Sequence, residues 1–393
     1  MRILHYIKVL RHELGGPTRA VIDLSGALAA AGHDAVVATR HSEAWPEEWS
    51  NNNTTTGPGF PKLWKLESRT WPMRLFSPRQ LREFRARLRG FQVLHLHGAW
   101  GVSNVQVASV ARGLGIPYVI SPRGMLDDWP MSQRTRKKKL FLALFGRKVF
   151  EMAAFVHCTA EGELAQSGKW FPKGRGTVIP NLIDLKPYHN LPGPDAARER
   201  FPILTNGRPS VLFLSRIHYK KGIEVLLEAA ALLRDSGVEV NIVIAGAGES
   251  NYVEVLTREV SSRGLASRVE FLGMVTSPLK ESLFQACHVL ALPTSQENFG
   301  FVFYESLACG LPVVTTFGVD TWPELKSSGG AVIVDRDARA FADSIKALLS
   351  DDSKREAMGR SGRAWVMENL DSAKVCGLFE RAYERAIAEN RRG

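Results

Sequence analysis

At 393 residues, 45% of them hydrophobic, the chain exceeds one ordinary core and reads as two globular α/β domains. Its formal net charge of +11 is uneven: residues 61–150 carry +14 and the rest −3, which points to an anionic partner for the first half. The longest apolar run, Leu140 to Phe145, falls far short of the ~20 residues that cross a bilayer, so no spanning helix is expected.

The N-terminal run, broken by Arg2, His5 and Lys8, reads as a first strand and not a signal peptide. Gly15-Gly16 follows, then a helix carrying Ala20, Val21, Leu24 and Leu28, and a second strand from Ala35 to Ala38. A glycine pair lets the backbone approach a ligand, and is equally an ordinary turn. Residues 51–59 read as a surface excursion. Trp45, Trp49, Trp64 and Trp71 either cover a groove or plug the core.

Residues 78–90 predict a basic helix with Leu81, Phe84 and Leu88 as its apolar stripe. A strand at Val93 to Leu96 carries His95 and His97 on one face, with His97 nearer the ligand end. Another, Tyr118 to Ser121, runs into Pro122-Arg123-Gly124. Residues 133–154 predict one long basic amphipathic helix, suited either to an anionic membrane face or to the core with a solvated basic side. Phe155 to Cys158 and Thr177 to Pro180 are the last strands of the first domain, and residues 186–209 form the connection.

The second domain opens with a strand at Val211 to Leu214 that delivers Arg216 and, at a helix start, Lys221-Gly222. Two fixed cations beside a helix N-terminus make a diphosphate clamp. Strands at Asn241 to Ala245 and Val269 to Leu272 lead to Gly246 and to Met274-Val275. The strand Val289 to Leu292 then enters Glu297-Asn298-Phe299-Gly300-Phe301, a helix starting near Phe299 and carrying Glu305, a stop at Gly310 and Pro312, and the strand Val313 to Thr316. A last strand spans Ala331 to Val334, followed by helices at 338–349, 353–368 and 372–390. Four cysteines (158, 287, 309, 376) without metal-ligand spacing read as buried thiols of a reducing compartment.

Glu297-Asn298-Phe299-Gly300 followed by Glu305, Ala308, Gly310 and Pro312-Val313-Val314 resembles the signature of the retaining glycosyltransferases of family 4 (GT4), and the resemblance runs nearly the full chain. Arg216-x4-Lys221-Gly222 and Asn181-Leu182-Ile183-Asp184 belong to it, with Leu182 where glycine is usual. The resemblance implies the GT-B fold: α/β, two doubly wound Rossmann-like domains facing across a cleft. Residues 1–185, with a terminal helix at about 372–393 crossing back, would bind the acceptor, and 186–371 the nucleotide-sugar donor. It implies Arg216, Lys221 and Glu297 as catalytic residues. Donor contacts would add Gly15, Gly16, Gly246, Met274, Val275, Asn298, Phe299, Gly300, Phe301 and Glu305. His97 and Arg123 are candidate acceptor or sugar contacts, Arg123 standing where relatives carry a histidine near the donor sugar.

No metal or other cofactor is expected, because the cations serve the diphosphate. The expected activity is hexosyl transfer from a UDP- or GDP-sugar to a glycan or lipid-linked acceptor in bacterial surface polysaccharide assembly. The expected place is cytoplasmic, peripheral at the inner face of the cell membrane through helices 78–90 and 133–154, with no nucleic-acid partner. The rival readings are a nucleotide-sugar epimerase of the same fold and a basic lipid- or nucleic-acid-binding protein.

Overall fold

Short β-branched runs build two parallel sheets in the computed structural model, which describes residues 1–11, 15–50, 59–67 and 75–391. Most of the expected surface excursion, residues 51–58, lies outside the described residues, as does Trp71. The chain divides into two units, Met1–Ile183 with Leu370–Gly393, and Asp184–Asn369.

The first unit contains β1 (Arg2–Tyr6), β2 (Val9–Leu10), β3 (Asp34–Thr39), β4 (His41–Ser42), β5 (Lys62–Lys65), β6 (Val93–His97), β7 (Tyr118–Ser121), β8 (Phe155–Cys158) and β9 (Gly176–Val178). Seven of these form one sheet in the order β5-β3-β1-β6-β7-β8-β9, while β2 pairs with β4. Alternation along the strands sends Leu4, Tyr6, Leu94, Leu96 and Ile120 to one face. There they pack on Phe84 and Leu88. Ile3, Val93, Val119 and Phe155 go to the other, beneath Leu24 and Leu28 of the helix Gly16–Ala30 and Val375, Phe379 and Tyr383 of the helix Ser372–Asn390. By the same parity His5, His95, His97, Ser121 and His157 lie on that second face.

The second unit contains β10 (Ser210–Leu214), β11 (Asn241–Ala245), β12 (Val269–Gly273), β13 (Val289–Leu292), β14 (Val313–Thr316) and β15 (Ala331–Val334), in the order β12-β11-β10-β13-β14-β15. In each sheet the strand order reverses once, between β1 and β6 and between β10 and β13. Such reversals splay the connecting helices apart, and ligands of open parallel sheets bind there, at the carboxyl ends of the strands.

The two basic segments differ from each other. The helix Pro78–Leu88 starts at a capping box made by Ser77 and Gln80 and buries Phe84 and Leu88, so its stripe is core and its arginines are solvated. The second segment is not the single helix expected over 133–154. Gln133 is extended and Arg134 is left-handed (φ 51°), which ends the short helix Asp128–Ser132. A helix then restarts as Thr135–Phe141, widens into a π-helical turn at Leu142–Gly146, and finishes as Arg147–Glu151. Gly146 fits the wide turn because a Cβ there would lie 2.9 Å from the Phe141 ring. Trp45 and Trp64 are buried, Trp64 stacking on Phe84 with ring centroids 5.0 Å apart, so both plug the core. All four cysteines are buried free thiols. No helix among the described residues is long and apolar enough to cross a membrane.

Candidate active site

In the second unit the site is assembled from strand exits. Ser215 N–H donates to the Ala245 carbonyl (3.1 Å) and Gly246 N–H to the Gly273 carbonyl (2.7 Å). Arg216, Gly246 and Met274 therefore follow three adjacent strands side by side. Gly246 has φ 147°, and a Cβ would fall 1.9 Å from the Ser215 carbonyl oxygen, so any other residue would push the Arg216 loop away. Arg216 and Met274 are exposed, and Val275 is half-buried.

Across the reversal, the loop after β10 is locked to the loop after β13. The Lys220 carbonyl accepts from Ser295 N–H (2.8 Å) and Ser295 Oγ (3.1 Å). Gly222 (φ 73°) seats against Pro293, whose carbonyl oxygen would lie 2.1 Å from a Cβ. This lock sets Lys221 Nζ against the Glu297 carboxylate as an ion pair, and Lys220 Nζ against the Gln296 side-chain oxygen. The Lys221 residue is 6% exposed and the Glu297 side chain 25%. Burial pushes the Glu297 carboxyl upward, but Lys221, Lys220 and Arg216 outweigh it and hold the group below the usual carboxylate range. Arg216, Lys221 and Glu297 thus share one electrostatic site.

The Glu297 backbone is clamped as well: its N–H donates to Gly318 O (3.0 Å) and its carbonyl accepts from Asp320 N–H (2.9 Å). Asn298 Nδ2 donates to Asp320 Oδ2 (3.0 Å), and Thr321 Oγ1 to the Phe299 carbonyl (3.0 Å). The helix begins at Phe301, two residues later than expected, because Gly300 (φ 69°) is its left-handed cap. The Phe299 ring packs on Phe301 and Tyr304, with centroids 5.1 and 4.8 Å away, so Phe299 can offer a ligand only its backbone. The first N–H groups of a helix lack intrahelical acceptors and favour an anion. Glu305, on this helix, is buried and meets Lys280 Nζ at 3.0 Å. The motif reading did not contain Lys280. Its signal was a lysine in the first turn of the helix Leu279–Ala286, directly after the β12 exit.

In the first unit, Gly15 (φ 61°) precedes the helix that starts at Gly16, and a Cβ on Gly15 would meet nothing within 4 Å among the described residues. His97 and Arg123 are buried together. Arg123 is left-handed (φ 58°), in a turn held by the buried carboxylate of Glu163, which accepts from Gly124 N–H (2.7 Å) and Thr159 N–H (2.6 Å). Its guanidinium donates to Asn181 Oδ1 and to His97 Nδ1 (3.1 Å), and burial pushes its pKa down to about 10.

The partners dictate the tautomers of four buried histidines. The Ile179 carbonyl can only accept, so His157 donates to it through Nε2 (2.8 Å) and accepts at Nδ1 from Ser121 Oγ (2.7 Å). Ser121 Oγ then accepts from His95 Nε2 (2.6 Å), and His95 Nδ1 accepts from the Tyr383 hydroxyl (2.6 Å). On the other branch His97, having accepted from Arg123, donates through Nε2 to His5 Nδ1 (3.1 Å), leaving His5 Nε2 without a partner among the described residues. Nitrogens of His5, His95 and His97 lie within 4.8 Å of one another. Each lone pair already accepts a hydrogen bond, so the trio as built is a hydrogen-bonded core and not a vacant ligand set. His95 is a core histidine, and sequence reasoning missed His5, His157 and Glu163.

Residues 195–365 match the family model of glycosyl transferases group 1, and residues 15–182 that of the glycosyl transferase 4-like domain. The GDP-mannose-dependent alpha-(1-6)-phosphatidylinositol monomannoside mannosyltransferase of Mycolicibacterium smegmatis is 32% identical over 189 residues, 45% of this chain and 48% of that protein. The 2-deoxystreptamine glucosyltransferase of Streptomyces kanamyceticus is 25% identical over 317 residues, 76% of this chain and 78% of that one. The match thus spans about half the length of the first relative and over three quarters of the second. Among solved structures, Anabaena HepE in complex with UDP superposes with a TM-score of 0.77 at 17% identity, covering 97% of this chain and 99% of that one. Sucrose-phosphate synthase from Thermosynechococcus elongatus gives 0.76 at 21% identity, covering 99% and 100%. With both units matched by sequence and the whole chain by fold, the protein belongs to the group 1 glycosyl transferases of GT4 type and has the GT-B fold.

Proposed function

We propose that the protein is a retaining hexosyltransferase that moves a sugar from a nucleotide-sugar donor to a glycan or lipid-linked acceptor. The observation that carries this reading is the cluster of Arg216, Lys221 and Glu297 at the β10/β13 reversal. Arg216 and Lys221 take the donor diphosphate, whose charge grows as the sugar–phosphate bond breaks, and fixed cations there favour the transition state. Glu297 and the start of the helix Phe301–Ala308 take the sugar hydroxyls, with Gly300 keeping the backbone close. Glu305, steadied by Lys280, takes the ribose hydroxyls, while Gly246 and the Met274-Val275 backbone border the phosphate and the base.

The acceptor oxygen bonds to the anomeric carbon on the face the phosphate leaves, and its proton passes to the departing phosphate oxygen, which gives retention without a protein nucleophile. The unit Asp184–Asn369 holds the donor and the unit Met1–Ile183 the acceptor, with His97 and Arg123 shaping that side and no resident metal. The HepE complex with UDP and the GDP-mannose-dependent relative support a UDP- or GDP-sugar. The setting we propose is bacterial surface polysaccharide assembly at the inner face of the cell membrane.

A panel of labelled UDP- and GDP-sugars tests this. One donor is expected to protect the chain against thermal unfolding, because it binds the folded state alone. The same donor is expected to hydrolyse slowly, and faster with acceptor present. Conversion of that donor into a nucleotide-bound isomer without acceptor would make the protein an epimerase instead.

A further inference from the structure

We infer that the outer face of the segment Thr135–Met152 is a docking surface for an anionic lipid bilayer. The inference rests on the membrane-peripheral part of the proposed function and gives it a location. Leu140, Leu144, Phe145 and Met152 are 60, 58, 48 and 44% exposed, four of the nine large exposed hydrophobics among the described residues. They are not needed to hold the segment down. Leu142, Val149 and Phe150 already fill the core beneath it, and Phe141 packs edge-on to Trp100 with centroids 5.8 Å apart.

The exposed residues are set among cations. Arg136, Leu140, Leu144 and Lys148 recur at four-residue spacing, so an apolar ridge has a positive charge at each end. Lys137, Lys139 and Arg147 flank it, all exposed, and residues 133–154 contain one carboxylate, Glu151, against seven lysines and arginines. A protein partner that buried the leucines would also have to neutralise this ring of cations. A bilayer with anionic headgroups supplies both needs at once, apolar depth at the centre and negative charge around it. The helix Pro78–Leu88 has the cations without a large exposed hydrophobic, and is not part of the surface.

Flotation of the full chain with vesicles of phosphatidylcholine, with and without phosphatidylglycerol, tests the inference. The wild type is expected to float with the anionic vesicles and to be released by salt. The triple variant Leu140→Ser/Leu144→Ser/Phe145→Ser is expected to lose at least ~10-fold in partitioning. Arg136→Gln/Lys137→Gln/Lys148→Gln is expected to lose about fivefold per charge. Arg79→Gln/Arg82→Gln/Arg89→Gln removes the same charge from the other helix and is expected to stay within about twofold of wild type, since the attraction fades beyond a Debye length. Equal losses in the two charge variants, or undiminished flotation of the triple serine variant, overturn the inference. So does a wild-type dimer that the serine variant converts to monomer, which would assign the face to a second copy. Donor protection against unfolding is read in parallel and is expected to be unchanged in all three variants. Its absence from the wild type would count against the transferase reading and leave the docking surface standing.

Discussion

Both sheets reverse their strand order once, at β1/β6 and at β10/β13, and both gather titratable side chains there, but of different kinds. In the second unit the groups are ions in pairs: Lys221 with Glu297, Lys280 with Glu305, and an exposed Arg216 nearby. In the first unit four imidazoles are buried and neutral, and the guanidinium beside them, Arg123, is fastened to an asparagine and a histidine. Paired charges at a partly open site are prepared to exchange partners with a charged ligand. Neutral rings under two helices carry no charge to exchange, and their hydrogen bonds tie β1, β6, β7 and β8 to one another and to the terminal helix.

Acid separates the two sites most strongly. Burial, with Arg123 adding to it, lowers the pKa of His5 and of His157 to about 3, and His95 and His97 also lie well below 6.5. Below 6.5 the unfolded chain binds protons that the folded one refuses, so stability falls as pH falls from there toward 3. His5 and His157 together cost roughly 3 kcal/mol by pH 5.5, and His95 and His97 act in the same direction. Glu297 changes in the same direction but in a lower window. Its depressed pKa contributes stability above the ordinary carboxylate range, lost only as pH drops through the lower folded value. Hydrogen exchange is expected to show the first unit opening before the second on acidification. Equal protection of both units down to pH 5 would mean that the imidazoles are not neutral as assigned.

Next in size is Lys280→Ala, which takes the Lys280 cation away from the buried Glu305 carboxylate and is expected to cost about 3 kcal/mol by urea unfolding. A loss under 1 kcal/mol would mean that Glu305 is held well enough without Lys280. Lys221→Ala is expected to lower turnover ~10²-fold, equivalent to about 2.7 kcal/mol of transition-state stabilisation. Unchanged turnover would remove this lysine from the chemistry. The smallest effect is that of Tyr383→Phe, which deletes the donor to His95 Nδ1 and is expected to cost about 1 kcal/mol without altering donor affinity. Weakened donor binding in that variant would show that the two sites are not separable.

What could be read from the sequence follows the range of the interactions. Parallel strands, their exits and the glycines beside them are local patterns, so the two Rossmann-like domains and the positions of Arg216, Lys221 and Glu297 were legible. Counterparts far away in sequence were not. Lys280 reaches Glu305 from another helix, and Asp320 reaches Asn298 from the loop after β14. Strand parity put His95 and His97 on one face, but only the β1/β6 pairing brings His5 beside His95. The 133–154 segment was readable as helical and basic. Its break at Arg134 and its π-helical turn were not, since neither leaves a mark in the spacing of apolar residues.

The direction of the imidazole relay has a practical consequence for anyone handling the protein. Each ring passes on the orientation it receives, so the Ile179 carbonyl settles where the hydroxyl hydrogen of Tyr383 must point, far along the polypeptide. The terminal helix is therefore keyed into the sheet by polarity as well as by grease. Trimming it to improve expression would unplug a nitrogen lone pair in the middle of the domain.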